Sequence, residues 1–330
     1  MQKKTVGLIL ASAGPFLWGS SGTVAQHLFD TTAISPLWLV AVRMLVSGTL
    51  LIGYGVSRHL PVMAVFHHPK ATLKLILFSL FGMAGVQLTY FMAISTGNAA
   101  MAAILQFLSP VMIIVYVTVT TWQAPSKVDV ISVISAIIGT FLIVTEGQLH
   151  SLALPVVAIV WGVLAAVGAT VYTLMPQRLL TGYGATPIVG WSMLIGGAFV
   201  LIGTGAWRHA PELTWTAWGQ VAFVVIFGTM LAYLFFLQSL EFILPTTASV
   251  LGAIEPLSAT ILSVLFLHVS FNWVGLIGAL LIRGRHLFAI RRIPRQSVCA
   301  EVKLLWKLGH LRQMNELIVL FTNSIENPPC

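Results

Sequence analysis

Charged residues are scarce in this sequence. Only 8% of its 330 residues are Asp, Glu, Lys or Arg, whereas 58% are hydrophobic, and the mean hydropathy is +0.94. A soluble domain carries about 25% charged residues, so this composition excludes a water-soluble globular protein. The hydrocarbon of a lipid bilayer is therefore the predicted solvent, and the chain is predicted to be a multi-pass protein of the cell membrane.

The sequence also has few cysteines and lacks the common catalytic motifs. The two cysteines, Cys299 and Cys330, both lie near the C-terminus, which excludes a disulfide framework. No HExxH, P-loop, GxGxxG or GxSxG pattern occurs, and the loop residues His59, His67 and His68 are too few for a metal site. We therefore expect no enzyme activity, no metal and no cofactor, and a proton or solute gradient as the energy source.

Positive charge is distributed unevenly along the chain. The formal net charge is +8, but the basic residues lie between apolar segments and in the C-terminal region, which argues against a nucleic-acid partner. Cytoplasmic segments of membrane proteins are enriched in Lys and Arg, so seven such residues predict a cytoplasmic N-terminus, and only Arg208 lies on the opposite side. Both termini are then cytoplasmic, which requires an even number of spans. The seven residues are Lys3, Lys4, Arg58, Lys70, Lys74, Lys127 and Arg178.

Ten apolar stretches approach or reach the length of a membrane span, which is about 20 residues. The breaks between them carry turn or charge signals, such as Gly97-Asn98 and Leu244-Pro245. The sequence therefore predicts an all-α integral membrane protein with ten transmembrane helices. The predicted spans are residues 6–27, 35–56, 72–94, 98–121, 128–145, 151–175, 185–206, 215–240 and 245–268, followed by a tenth that begins near 272.

The two halves of the chain resemble each other. Residues 90–110 match residues 236–256 at an offset of 146, and SPLWLVAV (35–42) matches TPIVGWSM (186–193) at an offset of 151. A repeat of five helices is odd in number, so the second copy enters the membrane from the opposite side. Inverted repeats are a recurring plan of secondary transporters, with the substrate site near the midplane between the repeats. The alternative is a duplication that is kept only for packing.

These patterns divide the chain into three parts. The first repeat of five helices covers 1–147, and the second repeat, with helices six to ten, covers 148–282. An atypical basic tail follows at 283–330. We therefore predict two inverted five-helix repeats, with a tenth helix that is truncated or altered.

The tenth helix is the irregular part of this plan. Residues 272–282 span only about 16 Å at the helical rise, which is half of the roughly 30 Å hydrocarbon core, before Arg283 and Arg285. Two explanations stay open. The arginines reach the cytoplasmic surface with their long side chains while residues 287–290 complete a distorted helix, or the native reading frame is lost after Ile282. The abrupt change in composition favours the second explanation.

Several segments, taken in order, resemble the EamA-type ten-helix permeases of the drug/metabolite transporter superfamily. The resemblance covers about residues 5–282 and implies a permease that moves small metabolites, often outward, through a central cavity lined by helices of both repeats. The chain departs from the family at Leu267-His268, where Gly-Glu is frequent, and the tail after Ile282 matches nothing expected. The segments that carry the resemblance are FLWGSSGTVA (16–25), Arg43, LSP (108–110), AAVGATVYTL (165–174) and IEP (254–256).

Two strongly ionisable residues lie deep in predicted spans: Arg43 and Glu255. A charge at the midplane costs at least about 2.5–3.5 kcal/mol, so it must face protein or water and usually has a partner. One interpretation is a salt bridge that only locks two helices. The other is a substrate site in which Arg43 binds a carboxylate with its guanidinium fork, and Glu255 alternates between a proton and an amino group.

Further polar and aromatic side chains in the spans are candidates to line the same cavity. Buried glutamines need hydrogen-bond partners, whereas any one aromatic residue could serve packing alone. Pro110 and Pro256 occupy matching places in the two repeats and are predicted hinges, with an ordinary helix kink as the alternative. The predicted substrate-binding residues are Glu255, Arg43, Trp18, Gln87, Tyr90, Gln106, Tyr172 and Gln238, with Ser20 and Ser21 as further lining residues.

The function that these features favour is secondary transport of small metabolites by alternating access, with proton or gradient coupling. Amino acids or related carboxylates and amines are the expected substrates. An exporter of drugs or cationic compounds is one alternative, although Arg43 does not suit it, and a non-transporting membrane sensor is another. The small-molecule substrate, the direction of transport, the coupling ion and the presence of a homodimer stay open.

Overall fold

A computed structural model describes residues 3–121, 154–209, 211–239 and 251–269, with isolated positions within 130–142, at 242–243 and within 273–277. Every regular element in this described part is helical, and it contains no strand. The helices are α1 (Lys3–Thr31), α2 (Pro36–Ser57), α3 (Pro69–Leu77), α4 (Gly85–Thr96), α5 (Ala99–Gln106), α6 (Ser109–Thr121), α7 (Val156–Leu174), α8 (Gln177–Tyr183), α9 (Ala185–Gly203), α10 (Trp215–Val225), α11 (Ala232–Ser239) and α12 (Ile254–Leu267).

In the part of the chain that the structure describes, six helical stretches are long and apolar enough to cross a membrane: Pro36–Ser57, Pro69–Thr96, Ala99–Thr120, Val156–Leu174, Ala185–Gly203 and Trp215–Ser239. The first helix, α1, is 29 residues long but carries several polar side chains that are buried inside the protein. Because these polar groups face other helices, α1 can lie in the membrane without exposing them to lipid. They are Ser20, Ser21, Thr23 and Gln26.

Local signals in the sequence explain several of these helix ends. Helix α2 starts with Pro36, whose missing N–H is not needed in a first turn. Helix α5 starts after Asn98, whose side-chain Oδ1 accepts a hydrogen bond from the Met101 N–H at 2.8 Å. Helix α10 starts after Thr214, whose hydroxyl accepts from the Ala217 N–H at 3.3 Å.

Two of the long helices widen into π-helical turns. The first π-turn, Phe78–Ala84, joins α3 to α4, and the second π-turn, Ile226–Leu231, joins α10 to α11. A π-turn inserts an extra residue into a helix and changes the direction of the side chains around it. The first π-turn packs against α7 and α9, whereas the second packs against α1 and α2.

Small residues let the helices approach each other closely at the centre of the protein. At the crossing of α2 and α9, a Cβ added to Gly48 would come within 2.9 Å of the Gly190 carbonyl oxygen. Gly19 of α1 lies against α12, and an added Cβ there would clash with the backbone of Glu255 and the side chain of Ser258. Glycine at position 19 thus allows α12 to bring Glu255 next to α1.

The all-helical, membrane-spanning prediction is confirmed for the described residues. The predicted spans near 6–27, 35–56, 72–94, 98–121, 151–175, 185–206, 215–240 and 245–268 each contain helix. The fifth span lies mostly outside the described residues, as does the tenth, and the basic tail lies entirely outside them. The count of ten and the inverted-repeat organisation therefore stay predictions.

Candidate functional site

A cavity of about 170 Å³ lies where seven helices meet: α1, α2, α4, α5, α7, α11 and α12. We call it the polar chamber, because most of its lining side chains carry polar groups although they come from apolar helices. Its lining residues are Trp18, Ser21, Arg43, Val86, Gln87, Tyr90, Gln106, Ala169, Tyr172, Tyr233 and Glu255.

A larger cavity of about 440 Å³, the vestibule, lies beside the polar chamber and shares four lining residues with it: Trp18, Gln106, Tyr172 and Glu255. The rest of its wall is mostly apolar and aromatic. The larger of these side chains are Phe78, Phe107, Leu180, Val189, Phe236 and Leu237. Glu255 thus lies where the polar chamber and the vestibule meet.

Arg43 enters the polar chamber from α2 and is only 3% exposed. Its Nε donates a hydrogen bond to the Thr229 hydroxyl oxygen at 2.9 Å, and its Cζ lies 4.3 Å from the centre of the Phe91 ring, a cation–π distance. Within the described part of the chain, the terminal guanidinium nitrogens have no hydrogen-bond partner. They are therefore available to a ligand in the polar chamber.

Glu255 is the second residue of α12 and reaches the polar chamber from the opposite half of the chain. Among the described residues, no ion pair joins it to Arg43, although the two charges act on each other electrostatically. The sequence left open a salt bridge that only locks two helices and a substrate site, and the described residues contain no such salt bridge. Separated charges of opposite sign can each bind the complementary group of a ligand.

Two further polar atoms near these charges lack partners. The Tyr90 hydroxyl and the Gln106 Oε1 are buried, and no described residue hydrogen-bonds to either. Buried polar groups are usually satisfied, so an unsatisfied pair in one cavity needs a reason. A ligand or ordered water in the polar chamber would supply the missing partners.

Gln87 and Tyr233 both line the polar chamber and contact each other. The Gln87 Nε2 donates to the Tyr233 hydroxyl at 3.3 Å, and the two residues are 146 positions apart. That separation equals the offset of the internal match between residues 90–110 and 236–256. Tyr233 also packs edge-on against Trp18 with ring centres 5.0 Å apart.

Seven of the eight predicted substrate-binding residues line the polar chamber. The eighth, Gln238, lies elsewhere, and its Nε2 approaches the Tyr54 hydroxyl at 3.5 Å. Of the two predicted serines, Ser21 lines the polar chamber, whereas Ser20 lines a separate groove. Sequence reasoning missed Tyr233 and Thr229.

A signal for the missed residues was present in the chain. Tyr233 is the counterpart of Gln87 at the offset of 146, and Thr229 precedes Tyr233 by four residues, on the same side of a helix.

The two predicted hinge prolines follow interruptions in their helices. Pro110 is the second residue of α6, and α5 ends four residues earlier at Gln106. Pro256 is the third residue of α12, and a turn at 252–253 precedes that helix. Proline is tolerated in a first turn because its missing N–H has no partner there.

Comparison with known proteins identifies the family. The EamA-like transporter family matches the chain over residues 5–145 and again over 156–284. The chain belongs to the EamA-like transporter family. A similar protein is the uncharacterized inner membrane transporter YicL of Salmonella typhimurium, which is 34% identical over 281 residues that cover 84% of this chain and 92% of that protein.

The chain is also similar to more distant proteins. Protein PecM of Dickeya dadantii is 24% identical, over 81% of this chain and 86% of that protein. The uncharacterized transporter YwfM of Bacillus subtilis is 25% identical, over 87% of this chain and 94% of that protein. A crystal structure at 18% identity aligns with a TM-score of 0.60, over 87% of this chain and 99% of that chain, which shows the shared fold.

Proposed function

We propose that this EamA-family protein is a secondary transporter of small metabolites that carry a carboxylate and an amino group, with amino acids as the leading class. The polar chamber would bind one substrate at a time, and alternating access would expose it to each side of the membrane in turn. Arg43 would bind the carboxylate and Glu255 the amino group.

One observation carries this proposal: a guanidinium and a carboxylate face the same small cavity without pairing to each other. Two buried charges that served only to lock helices would be expected to form a direct ion pair, because an unpaired charge in hydrocarbon is costly. The terminal nitrogens of Arg43 and the unpartnered oxygens of Tyr90 and Gln106 add donors and acceptors to the same space.

The size of the polar chamber favours small metabolites over drugs. Its volume of about 170 Å³ is below the roughly 300–1,000 Å³ of pockets that hold drug-sized ligands. At about 30 Å³ for each water molecule, it has room for about five or six waters or a ligand of similar bulk. An exporter of large cationic compounds would also gain nothing from the guanidinium of Arg43.

The position of the vestibule supports an alternating-access cycle, because it would connect the polar chamber to one side of the membrane. With the predicted orientation, Pro176 and Leu180 of its wall lie towards the cytoplasm, so this conformation would be the inward-open one. Towards the opposite end, the Gln26 Oε1 of α1 accepts a hydrogen bond from the Ala99 N–H at 2.8 Å. We infer that this contact helps to close the outer side, and that the breaks before Pro110 and Pro256 serve as hinges.

Glu255 is also the proposed site of proton coupling. A carboxyl group binds either a proton or an amino group, but not both. This competition would couple the transport of the substrate to the transport of a proton. A non-transporting sensor would need no such exchange and would show no solute flux.

Counterflow in proteoliposomes tests the proposed function. Wild-type protein, loaded with each of a panel of amino acids and their amines and carboxylates, should exchange at least one zwitterion, and Arg43→Gln and Glu255→Gln should each reduce that exchange. Arg208→Gln and Glu212→Gln are matched controls, because they remove exposed charges of the same types. Absence of exchange across the panel would favour the sensor, and exchange limited to bulky cations would favour the drug exporter.

A further inference from the structure

The side chain of Arg43 needs a fixed direction if it is to bind a carboxylate. Its one hydrogen bond among the described residues runs from Nε to the Thr229 hydroxyl at 2.9 Å, so it uses the inner edge of the guanidinium. The face of the group lies over Phe91. A bond along one edge and a ring against one face together fix both the position and the plane of the guanidinium, and the outer edge stays free.

The second π-turn determines where the Thr229 hydroxyl points. This hydroxyl donates its hydrogen to the Val224 carbonyl, five residues earlier, at 2.9 Å. Most of the described threonines in the regular helices bond four residues back instead, as Thr173 does to Ala169. Because its hydrogen is directed along the widened turn, the Thr229 oxygen presents its lone pairs to Arg43.

A second bond ties the same face of α2 to the end of α10, directly before the second π-turn. Ser47 lies one helical turn after Arg43, and its hydroxyl donates to the Val225 carbonyl at 3.0 Å. Both Ser47 and Thr229 are fully buried. Ser47 therefore offers a matched control, since it links α2 to the end of α10 and forms no hydrogen bond with Arg43.

The first π-turn forms without such a polar link. At the offset of 146, Met83 stands in the place of Thr229, and at the offset of 151, Leu194 stands in the place of Arg43. Met83 is fully buried within the first π-turn. A π-turn in this protein thus does not require a hydroxyl at this place, so the hydroxyl of Thr229 calls for another role.

We propose that Thr229 is a positioning residue for Arg43, which holds the guanidinium so that its terminal nitrogens face the polar chamber. The inference rests on the proposed function, because it takes Arg43 as the group that binds the substrate carboxylate. It adds that the second π-turn sets the specificity for that carboxylate, and that any movement of α10 and α11 also moves the binding group.

The first test needs no substrate. Thermal unfolding of the full chain in nanodiscs is compared for wild type, Thr229→Val, Arg43→Met and the double variant. Thr229→Val should lower the melting temperature when Arg43 is present and leave it nearly unchanged in Arg43→Met, because the two residues act as a pair. Ser47→Ala should lower the melting temperature equally in the wild type and in Arg43→Met. Thr229→Ala, which removes the same hydroxyl with a smaller side chain, is carried through the same cycle. Equal losses from the Thr229 variants in both backgrounds would overturn the inference.

The second test separates positioning from a structural role. For the amino acid that exchanges best, Thr229→Val should raise KM about tenfold with little change in kcat, since a bond to a charged group is lost. Thr229→Ser should restore KM to within about twofold, and KM for the corresponding amide, which has no carboxylate, should not respond. A fall in kcat alone, or an equal rise in KM for the amide, would contradict the inference. A wild-type protein that exchanges no amino acid would count against the proposed function, while the unfolding cycle would still decide the role of Thr229.

Discussion

The first π-turn packs against α7 and α9, whereas the second packs against α1 and α2. In the first, the Ser79 hydroxyl donates to the Leu75 carbonyl of its own helix at 2.7 Å. In the second, Thr229 accepts a hydrogen bond from Arg43 of another helix. The same departure from regular helix therefore serves close packing in one half and also holds a charge in the other.

The comparison extends to the whole polar chamber. Gln87 and Tyr233, which match at the offset of 146, form a hydrogen bond with each other; in the predicted repeat, such residues would lie beside the axis that relates the two copies. The charges have no such symmetry, because Glu255 corresponds to Ser109 and Arg43 to Leu194. In the proposed repeat, a symmetric scaffold would supply two equivalent states, and the asymmetric charges would give the substrate one orientation.

The largest loss of transport is expected when the second π-turn is made to resemble the first. Arg43→Leu combined with Thr229→Met replaces the polar pair by its apolar counterpart. Exchange of an amino acid should fall by more than about 100-fold, because a buried charged contact to the substrate is lost. The melting temperature should stay the same or rise, since apolar groups often replace buried charges without loss of stability. If the double variant retained exchange in proteoliposomes, Arg43 would not be part of the substrate site.

Removal of the other charge should have the next largest effect. Glu255→Gln is expected to reduce exchange about 10- to 100-fold, as for a lost bond to a charged group, and to abolish its dependence on pH because glutamine cannot carry the proton. Exchange measured between pH 5 and 8 checks both effects. The exposed variant Glu212→Gln should retain the wild-type profile, and a pH dependence that survives in Glu255→Gln would exclude it as the coupling group.

The hydrogen bond between Gln87 and Tyr233 should contribute less to transport than either charge does. Tyr233→Phe removes a neutral hydrogen bond from Gln87, so KM should rise about two- to tenfold. Gln87→Leu should act similarly, and the double variant should cost little more than either change, because both remove one shared bond. Fully additive losses in transport would mean that the two side chains act separately.

The last prediction concerns the packing of the two π-turns and is a change in stability. A Cβ at Gly228 would clash with the Ser21 side chain, whereas a Cβ at Gly82 would come within 2.7 Å of the Phe78 ring, which borders the open space of the vestibule. Gly228→Ala should therefore cost about 1–3 kcal/mol of stability, and Gly82→Ala less. Thermal unfolding of both variants measures the difference, and the reverse order would mean that the first π-turn is the tighter of the two.

Much of the polar chamber could be predicted because charge is so rare in this chain. Arg43 and Glu255 stand out in apolar spans, and the polar residues Gln87 and Gln106 are conspicuous for the same reason. Tyr233 and Thr229 are less conspicuous, since tyrosine and threonine occur in ordinary helix packing as well.

Other features had no clear signal in the sequence. The π-turns contain residues that also fit a regular α-helix, such as Phe78 to Phe81, so their sequence does not mark the wider turn. Pro256 was predicted inside the span 245–268, as a hinge or a kink, whereas the structure has a helix that starts two residues before it. The vestibule depends on how separate helices end, which apolar periodicity does not determine.

Charge-deleted analogues give the most direct test of the proposed two-charge site. KM is measured in proteoliposomes for the amino acid that exchanges best, for its amide, which lacks the carboxylate, and for the carboxylate that lacks the amino group. The wild type should prefer the amino acid over both analogues. Arg43→Gln should lose only the preference over the amide, and Glu255→Gln only the preference over the deaminated carboxylate. If both variants keep both preferences, Arg43 and Glu255 do not bind the two ends of the substrate.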